Sequence, residues 1–260
     1  MDERGAAVPL MPGAEPYYHE GGKIGVLLCH GFTGTPQSLR PWAEFLARAG
    51  LTVSLPRLPG HGTTWQEMSH TGWEDWYGEL EHAYGELRGR CPDTFVMGLS
   101  MGGCMALRLA QVHGDAVRGV VAVNPSIVND VPLLRLAPLL KWVVPTVPGV
   151  ANDIKKEGAT ELAYDRTPVR AAATLLRLWS LVQSELDKIT QPVLVYHSPE
   201  DHVVKPTGVR LLRERLGDNL TVVELPNSYH VATLDNDAET IFQGSLDFIT
   251  AHASVPLQQD

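Results

Sequence analysis

The chain has 260 residues, of which 44% are hydrophobic and 20% are charged, which suits one compact domain or one domain with a lid insertion. Its net charge of −9 argues against a nucleic-acid partner, whose phosphates need a basic surface, and weakly against docking on anionic membranes. Residues 1–22 are polar and acidic without a secretory pattern, and no apolar run approaches the length of a membrane span. We therefore expect a cytoplasmic protein without stable membrane insertion.

The first part of the chain alternates between strand and helix patterns. Residues 24–29 are continuously apolar, as is typical of a strand buried on both faces, and residues 1–23 should be a loose arm that ends over the sheet edge. Thr35 is a candidate N-cap with Pro36 at the first helical position, and this helix should end at Gly50. The elements predicted next are a strand over residues 51–55 and a helix over residues 72–88.

The pentapeptide Gly-Leu-Ser-Met-Gly at residues 98–102 stands between an apolar strand-like run and a helical pattern. Strand, Gly-x-Ser-x-Gly and helix in this order indicate a nucleophile elbow, a sharp turn that exposes the serine hydroxyl. The glycines let the strand and the helix pass without side-chain clashes. Ser100 also stands at a helix N-terminus, where backbone N–H groups favour developing negative charge. We predict Ser100 as the nucleophile and the N–H of Met101 as one oxyanion donor.

The alternation breaks after a further buried strand, predicted over residues 119–123. Residues 126–185 carry no clear strand, and prolines punctuate their apolar pieces, so one long helix is not expected. We interpret residues 126–185 as a helical cap inserted into a single domain of residues 1–260. Its apolar side chains could form a second small core, or line an acyl tunnel and contact lipid transiently. The alternation then resumes with strands over 192–197 and 220–225 and helices over 207–216 and 238–251.

This order of elements predicts an α/β fold with a mainly parallel sheet and helices on both faces. In such a sheet, functional groups gather in the loops at the carboxyl ends of the strands. Ser100, the acidic pair Glu200 and Asp201, and His230 each follow a predicted strand. Serine, then acid, then histidine is the chain order that serine enzymes of this fold class use.

A serine hydroxyl is a weak nucleophile that needs a base, and the chain offers 10 histidines for that role. The order rule favours His230. His30 and His61 also follow strands, but they precede the serine in glycine-flanked turns, where an imidazole more often bonds to backbone and shapes the loop.

The base in turn needs an orienting carboxylate. Asp201 is favoured for this role, and its neighbour Glu200 is the alternative. Asp235 and Asp237 follow His230 too closely along the chain to reach its far nitrogen. No metal and no organic cofactor is needed for this chemistry, and the three cysteines are expected as buried thiols.

Several stretches of the chain together resemble one group of enzymes. They are His-Gly-Phe-Thr-Gly at 30–34, Pro-Gly-His-Gly-Thr at 59–63, Gly-Leu-Ser-Met-Gly-Gly at 98–103, Glu-Asp-His-Val-Val at 200–204 and Asn-Ser-Tyr-His-Val-Ala-Thr-Leu-Asp at 227–235. They resemble the small bacterial carboxylesterases and monoacylglycerol lipases of the α/β-hydrolase superfamily, and the likeness spans residues 13–252. Glu-Leu-Ala-Tyr at 161–164 is similar to the cap of bacterial monoacylglycerol lipase.

The resemblance implies an α/β-hydrolase fold with Ser100 as nucleophile, Asp201 as acid and His230 as base. It also implies that the backbone N–H of Phe32 joins that of Met101 in the oxyanion hole. This role uses only the backbone of Phe32, so the side chain is free to pack in the core.

The resemblance further implies two substrate-binding residues in the cap. Glu161 matches a glutamate that holds a glycerol hydroxyl, and Val150 matches an isoleucine beside it. Residues 125–150 depart from the pattern of the group, so the resemblance leaves the preferred acyl chain open.

These inferences predict a serine hydrolase that cleaves carboxylic esters, above all monoacylglycerols, through an acyl-enzyme. The expected partner is a small ester or lipid. One alternative is a general short-to-medium-chain carboxylesterase without a preference for the glycerol head group. A non-catalytic binding protein of this fold is less favoured, because all three members of the triad are present.

Overall fold

The computed structural model describes residues 8–129, 136–140, 143–149 and 152–257. Its strands are, in chain order, β1 (Tyr17–His19), β2 (Ile24–Cys29), β3 (Thr52–Leu55), β4 (Asp93–Leu99), β5 (Gly119–Val123), β6 (Thr146–Pro148), β7 (Arg166–Pro168), β8 (Val193–His197) and β9 (Leu220–Glu224). Seven strands form one sheet in the order β1-β3-β2-β4-β5-β8-β9. Its neighbouring strands run parallel, except that β1 is antiparallel to β3. The predicted, mainly parallel sheet is confirmed.

Helices cover both faces of this sheet. The helices of the described residues are, in chain order, α1 (Arg40–Arg48), α2 (Trp65–Ser69), α3 (Trp73–Arg88), α4 (Met101–His113), α5 (Ala137–Leu140), α6 (Val169–Ser184), α7 (Thr207–Leu216) and α8 (Ala238–His252). Alternate side chains of β2 enter different cores: Leu27 packs with residues of α3, α4 and α6, whereas Val26 and Leu28 pack with residues of α1 and α8. Because both faces are covered, β2, β4 and β5 are buried along their whole length. No helix in the described ranges has both the length and the apolar character needed to cross a membrane.

The N-terminal arm ends as the edge strand β1, which pairs with β3 from Tyr17 opposite Leu55 to His19 opposite Val53. Tyr17 packs under Arg40, whose guanidinium carbon lies 5.1 Å from the ring centre. Tyr18 is 52% exposed. The arm therefore covers the edge of β3 by backbone pairing, and Tyr17 packs against Arg40.

Two predictions about the elements are corrected. Residues 126–185 were expected to lack strands, but β6 and β7 form an antiparallel pair there, with Thr146 opposite Pro168 and Pro148 opposite Arg166. An isolated pair has only edge strands, and an edge tolerates a proline without an N–H. The helix predicted after Thr35 instead begins as a 3-10 turn before α1, and the short α2 was not predicted.

Candidate active site

The predicted elbow lies where β4 ends and α4 begins. Ser100 is the single residue between them and has φ of 55° and ψ of −117°. Such a positive φ is uncommon for residues other than glycine, and the surrounding structure must hold it. The Ser100 N–H donates to the carbonyl oxygen of Val123 at 2.9 Å, and the Ser100 carbonyl accepts from the N–H of Ser126 at 3.1 Å. These bonds to β5 and to the residues that follow it hold the strained turn.

Two glycines make this turn possible. A Cβ on Gly98 would overlap the backbone of Gly102, and a Cβ on Gly102 would overlap the carbonyl group of Cys29. Backbone atoms cannot move aside as the end of a flexible side chain can, so neither position accepts a side chain without rearrangement of the elbow.

The histidine and the aspartate singled out from the sequence are in contact. His230 Nδ1 lies 2.7 Å from Asp201 Oδ2, and the side chains are only 9% and 2% exposed. The other carboxylate oxygen, Asp201 Oδ1, accepts hydrogen bonds from the N–H groups of Val203 and Val204 at 2.7 and 2.8 Å. One oxygen is thus fixed by the backbone, and the other is directed at the imidazole.

The other carboxylates considered as the acid have different partners. Glu200 is paired with Lys155 at 2.6 Å and is 57% exposed. Asp235 accepts from the backbone N–H of Tyr229 at 2.9 Å, and Asp237 accepts from the backbone of its own loop. Asp235 and Asp237 therefore brace the loop that carries the histidine, and Asp201 is the carboxylate against its ring.

His30 and His61 are fully buried and contact backbone groups. His30 Nε2 accepts from the N–H of Leu58 at 3.2 Å, and its Nδ1 lies 3.0 Å from the carbonyl oxygen of Gly31. His61 Nδ1 lies 3.1 Å from the carbonyl oxygen of Pro59. Burial lowers the pKa of His30 to about 4 and the pKa of His61 well below its ordinary value. Burial thus disfavours the charged form of both imidazoles, and both contact backbone groups of their own loops.

A cavity of about 350 Å³ brings the serine and the histidine together, because Ser100 and His230 both line it. Phe32 and Met101 line the same cavity. A Cβ built on Gly31 would lie 3.6 Å from Ser100 Cβ, so the loop after β2 passes directly beside the serine. Much of the remaining wall is apolar and comes from residues 126–185. Its members include Val128, Val147, Ala172, Leu175 and Trp179.

Glu161 also lines this cavity. Its Oε1 would lie 2.8 Å from a Cβ on Gly34, and its N–H donates to Asn152 Oδ1 at 2.6 Å. Burial raises the pKa of Glu161, and the nearby His230 offsets this only in part. Val150, the other predicted cap residue, lies outside the described residues.

Contacts of the residues just after Glu161 hold this part of the chain against the first loops. The Leu162 N–H donates to Gln37 Oε1 at 2.9 Å. The Tyr164 hydroxyl donates to the carbonyl oxygen of Gly60 and accepts from the N–H of Thr63, both at 2.8 Å. The Glu-Leu-Ala-Tyr stretch is therefore fixed over the cavity by its neighbours.

Two further polar residues contact the loops that carry Asp201 and His230. Asn124, directly after β5, is buried and donates through Nδ2 to the carbonyl oxygen of His230 at 2.8 Å. Asp153 Oδ2 accepts from the N–H of His230 at 3.1 Å and from that of His202 at 3.2 Å. The loops are thus fastened from the sheet and from the segment before Glu161.

A family profile described as serine aminopeptidase, S33, in the group Hydrolase_4, matches residues 23–237. The chain belongs to this family. This hydrolase is 43% identical to the thermostable monoacylglycerol lipase of Bacillus sp. (strain H-257), over 94% of its own length and 98% of that protein. It is 26% identical to the carboxylesterase of Bacillus subtilis (strain 168), over 90% of its own length and 96% of that protein.

One solved structure matches this hydrolase with a TM-score of 0.91, and it comes from work on LipS and LipT, two metagenome-derived lipolytic enzymes. The two chains are 42% identical, and the match covers 94% of this chain and 100% of that one. The α/β-hydrolase fold and the resemblance stated from the motifs are confirmed. The hydrolase is a carboxylic ester hydrolase by its relatives and family.

Sequence reasoning missed two residues of this hydrolase that contact the site. Asn124 carried a usable signal, because it stands at the carboxyl end of a buried strand, where functional groups gather. Asp153 carried none, because it lies in a stretch without helical or strand periodicity. Within the described residues, no group of His, Cys, Asp and Glu is arranged to hold a metal ion, and all three cysteines are buried and free.

Proposed function

We propose that this hydrolase cleaves monoacylglycerols to fatty acid and glycerol with Ser100 as nucleophile, His230 as base and Asp201 as orienting acid. The observation that carries the proposal is the 2.7 Å contact between His230 Nδ1 and Asp201 at a cavity that Ser100 also lines. The elbow geometry of Ser100 supports its role as nucleophile. The similarity to the Bacillus monoacylglycerol lipase supports the substrate class.

In the proposed mechanism, His230 takes the proton of the Ser100 hydroxyl as its oxygen attacks the ester carbonyl. The tetrahedral intermediate collapses when His230 returns this proton to the leaving glycerol oxygen, which leaves an acyl-enzyme. Water then attacks the acyl-enzyme with the same proton transfers and releases the fatty acid. Asp201 holds the imidazole in the required tautomer and stabilises its cationic form, for which its two backbone hydrogen bonds fix the carboxylate.

The backbone N–H groups of Phe32 and Met101 form the proposed oxyanion hole. Both residues line the cavity, and the loop that carries Phe32 passes beside Ser100. Met101 is the first residue of α4, so its N–H also adds the positive end of the helix dipole. One such donor contributes about 3 kcal/mol to transition-state stabilisation.

Residues 126–185 act as the cap in this proposal, and Glu161 selects the head group. A carboxylate in a partly apolar cavity is stabilised when a ligand donates hydrogen bonds to it, and a glycerol hydroxyl can donate such a bond. Val150 is assigned to the same subsite through the family resemblance alone. The apolar wall from Val128 to Trp179 accepts the acyl chain, and exposed Leu139 and Val143 suit brief contact with a lipid surface.

The test is hydrolysis of 1-monoacylglycerols beside ethyl esters of the same acids. Wild type should prefer the monoacylglycerols, and Ser100→Ala should hydrolyse neither. Glu161→Ala should lose about ten- to a hundred-fold on monoacylglycerols and little on ethyl esters, since a hydrogen bond to a charged group is lost. Glu157→Ala changes an exposed glutamate nearby and should behave as wild type.

The general carboxylesterase is the second candidate, and the match to the Bacillus subtilis carboxylesterase over 90% of the chain favours it. It predicts equal rates on both head groups in wild type and equal effects of Glu161→Ala on both. Hydrolysis by Ser100→Ala would contradict both candidates.

A further inference from the structure

The peptide groups of His230 are held from two sides by side chains remote in sequence. Asn124 Nδ2 donates to the His230 carbonyl oxygen at 2.8 Å, and Asn124 Oδ1 accepts from the N–H of Ser198 at 2.8 Å. Asp153 Oδ2 accepts from the His230 N–H at 3.1 Å and from the His202 N–H at 3.2 Å. His202 directly follows Asp201, so one carboxylate oxygen bridges the base loop and the acid loop.

The segment that carries Asp153 is fastened to the same loops at further points. The Asp153 carbonyl oxygen accepts from the N–H of Val231 at 3.1 Å. The N–H groups of Lys155 and Lys156 donate to Asp235 at 2.7 and 2.8 Å, and Asp235 also accepts from Tyr229. Residues 153–156 are therefore tied by several hydrogen bonds to the loop of His230.

We propose that Asp153 is a positioning residue that holds the His230 loop and the Asp201 loop at the separation their 2.7 Å contact requires. The inference rests on the proposed function, in which His230 is the base. Asn124 fixes the same loops from the sheet, but Asp153 comes from residues 126–185. The geometry of the triad thus depends on the proposed cap as well as on the sheet.

Asp153 also pairs with the imidazole of His202, whose Nδ1 lies 2.7 Å from Oδ1. This side-chain contact is a rival explanation for any effect of a mutation at Asp153, because it is made by the same carboxylate. His202→Phe separates the two explanations. The phenylalanine ring can keep the edge contact with Tyr229 but cannot bond to Asp153, while both backbone N–H groups remain.

The experiment compares Asp153→Ala, Asp153→Asn and His202→Phe on monoacylglycerols and ethyl esters. Asp153→Ala should lower kcat on the order of ten- to a hundred-fold on both substrates with KM little changed, because a small misplacement of the base costs rate. Asp153→Asn keeps an oxygen for the two N–H groups and should retain most of the activity. His202→Phe should be close to wild type. Asp153→Ser, too short to reach both N–H groups, replaces the alanine variant if that variant does not fold.

The low-field proton resonance of the His230 Nδ1–H against Asp201 is the second readout. It should be present in wild type and Asp153→Asn, and weakened or lost in Asp153→Ala. An unchanged resonance in Asp153→Ala with wild-type kcat would overturn the inference. So would a loss confined to monoacylglycerols, which would mean that Asp153 binds the head group. Hydrolysis by His230→Ala at the wild-type rate, in contrast, would contradict the proposed function itself.

Discussion

Gly102, on the first turn of α4, lies directly against the carbonyl group of Cys29 at the end of β2. This contact brings the helix that begins at the elbow close to the loop that follows β2. The positions of Ser100 and of the proposed oxyanion donors therefore depend on one backbone-to-backbone contact.

Gly102→Ala should abolish most of the activity and lower the thermal stability, because its Cβ would overlap backbone that cannot yield. Initial rates on a short-chain ester and a thermal melt measure the two effects. Wild-type rates in Gly102→Ala would show that the elbow is not rigid.

Gly78→Ala is the matched control in a different helix. Gly78 lies inside α3, and a Cβ there would meet no atom within 4 Å. The substitution should stabilise the protein by about 0.5–1 kcal/mol, because alanine has less freedom to lose on folding. Denaturant unfolding should show a higher midpoint, and the activity should be unchanged. A lower midpoint would contradict the finding that a side chain at this position has free space.

Ala172→Leu should shift the substrate preference towards shorter acyl chains. Ala172 is buried on α6 and lines the cavity, so a larger side chain takes space from the acyl chain. We expect kcat/KM on long-chain esters to fall about ten-fold relative to short-chain esters. Ala173→Leu, on the same helix but half-buried, is the control and should keep the wild-type profile.

The buried histidine pair should make the fold sensitive to mild acid. Burial lowers the pKa of His30 to about 4 and that of His61 below its ordinary value, so the unfolded chain binds protons that the folded chain does not. The free energy of unfolding should therefore fall as the pH drops from about 6.5, by up to about 1.4 kcal/mol per pH unit for each group. The free energy of unfolding, measured with urea at several pH values, should fall less steeply with decreasing pH in His61→Phe than in wild type.

Asp93 should stabilise the fold without affecting catalysis. Burial raises its pKa, but hydrogen bonds from Arg118 and Ser254 outweigh this effect and leave the pKa below its ordinary value. Its contribution is thus full above the unfolded pKa of about 3.9 and is lost as the pH falls through the lower, folded value. Asp93→Asn should cost about 2 kcal/mol at neutral pH and less in acid, with kcat unchanged. An equal loss at both pH values would contradict the charge-based explanation.

The sequence by itself predicted the strands and helices of the main sheet, the elbow, and Ser100 and His230 as members of the proposed triad. Each of these depends on local information: an apolar run, a Gly-x-Ser-x-Gly turn, and the rule that functional groups follow the strands of a parallel sheet. Only the tertiary structure decided which of the neighbours Glu200 and Asp201 meets the imidazole, because adjacent residues share the same local pattern.

The tertiary structure also decided how the two loops are held. Asp153 and His230 are 77 residues apart, and nothing in the local pattern of either marks their contact. Likewise, the β6–β7 pair joins three-residue strands that each carry a proline, and strand propensity gives no sign of their pairing. Contacts between distant residues arise only once the chain has folded, and these contacts position His230, Asp201 and the cavity around Ser100.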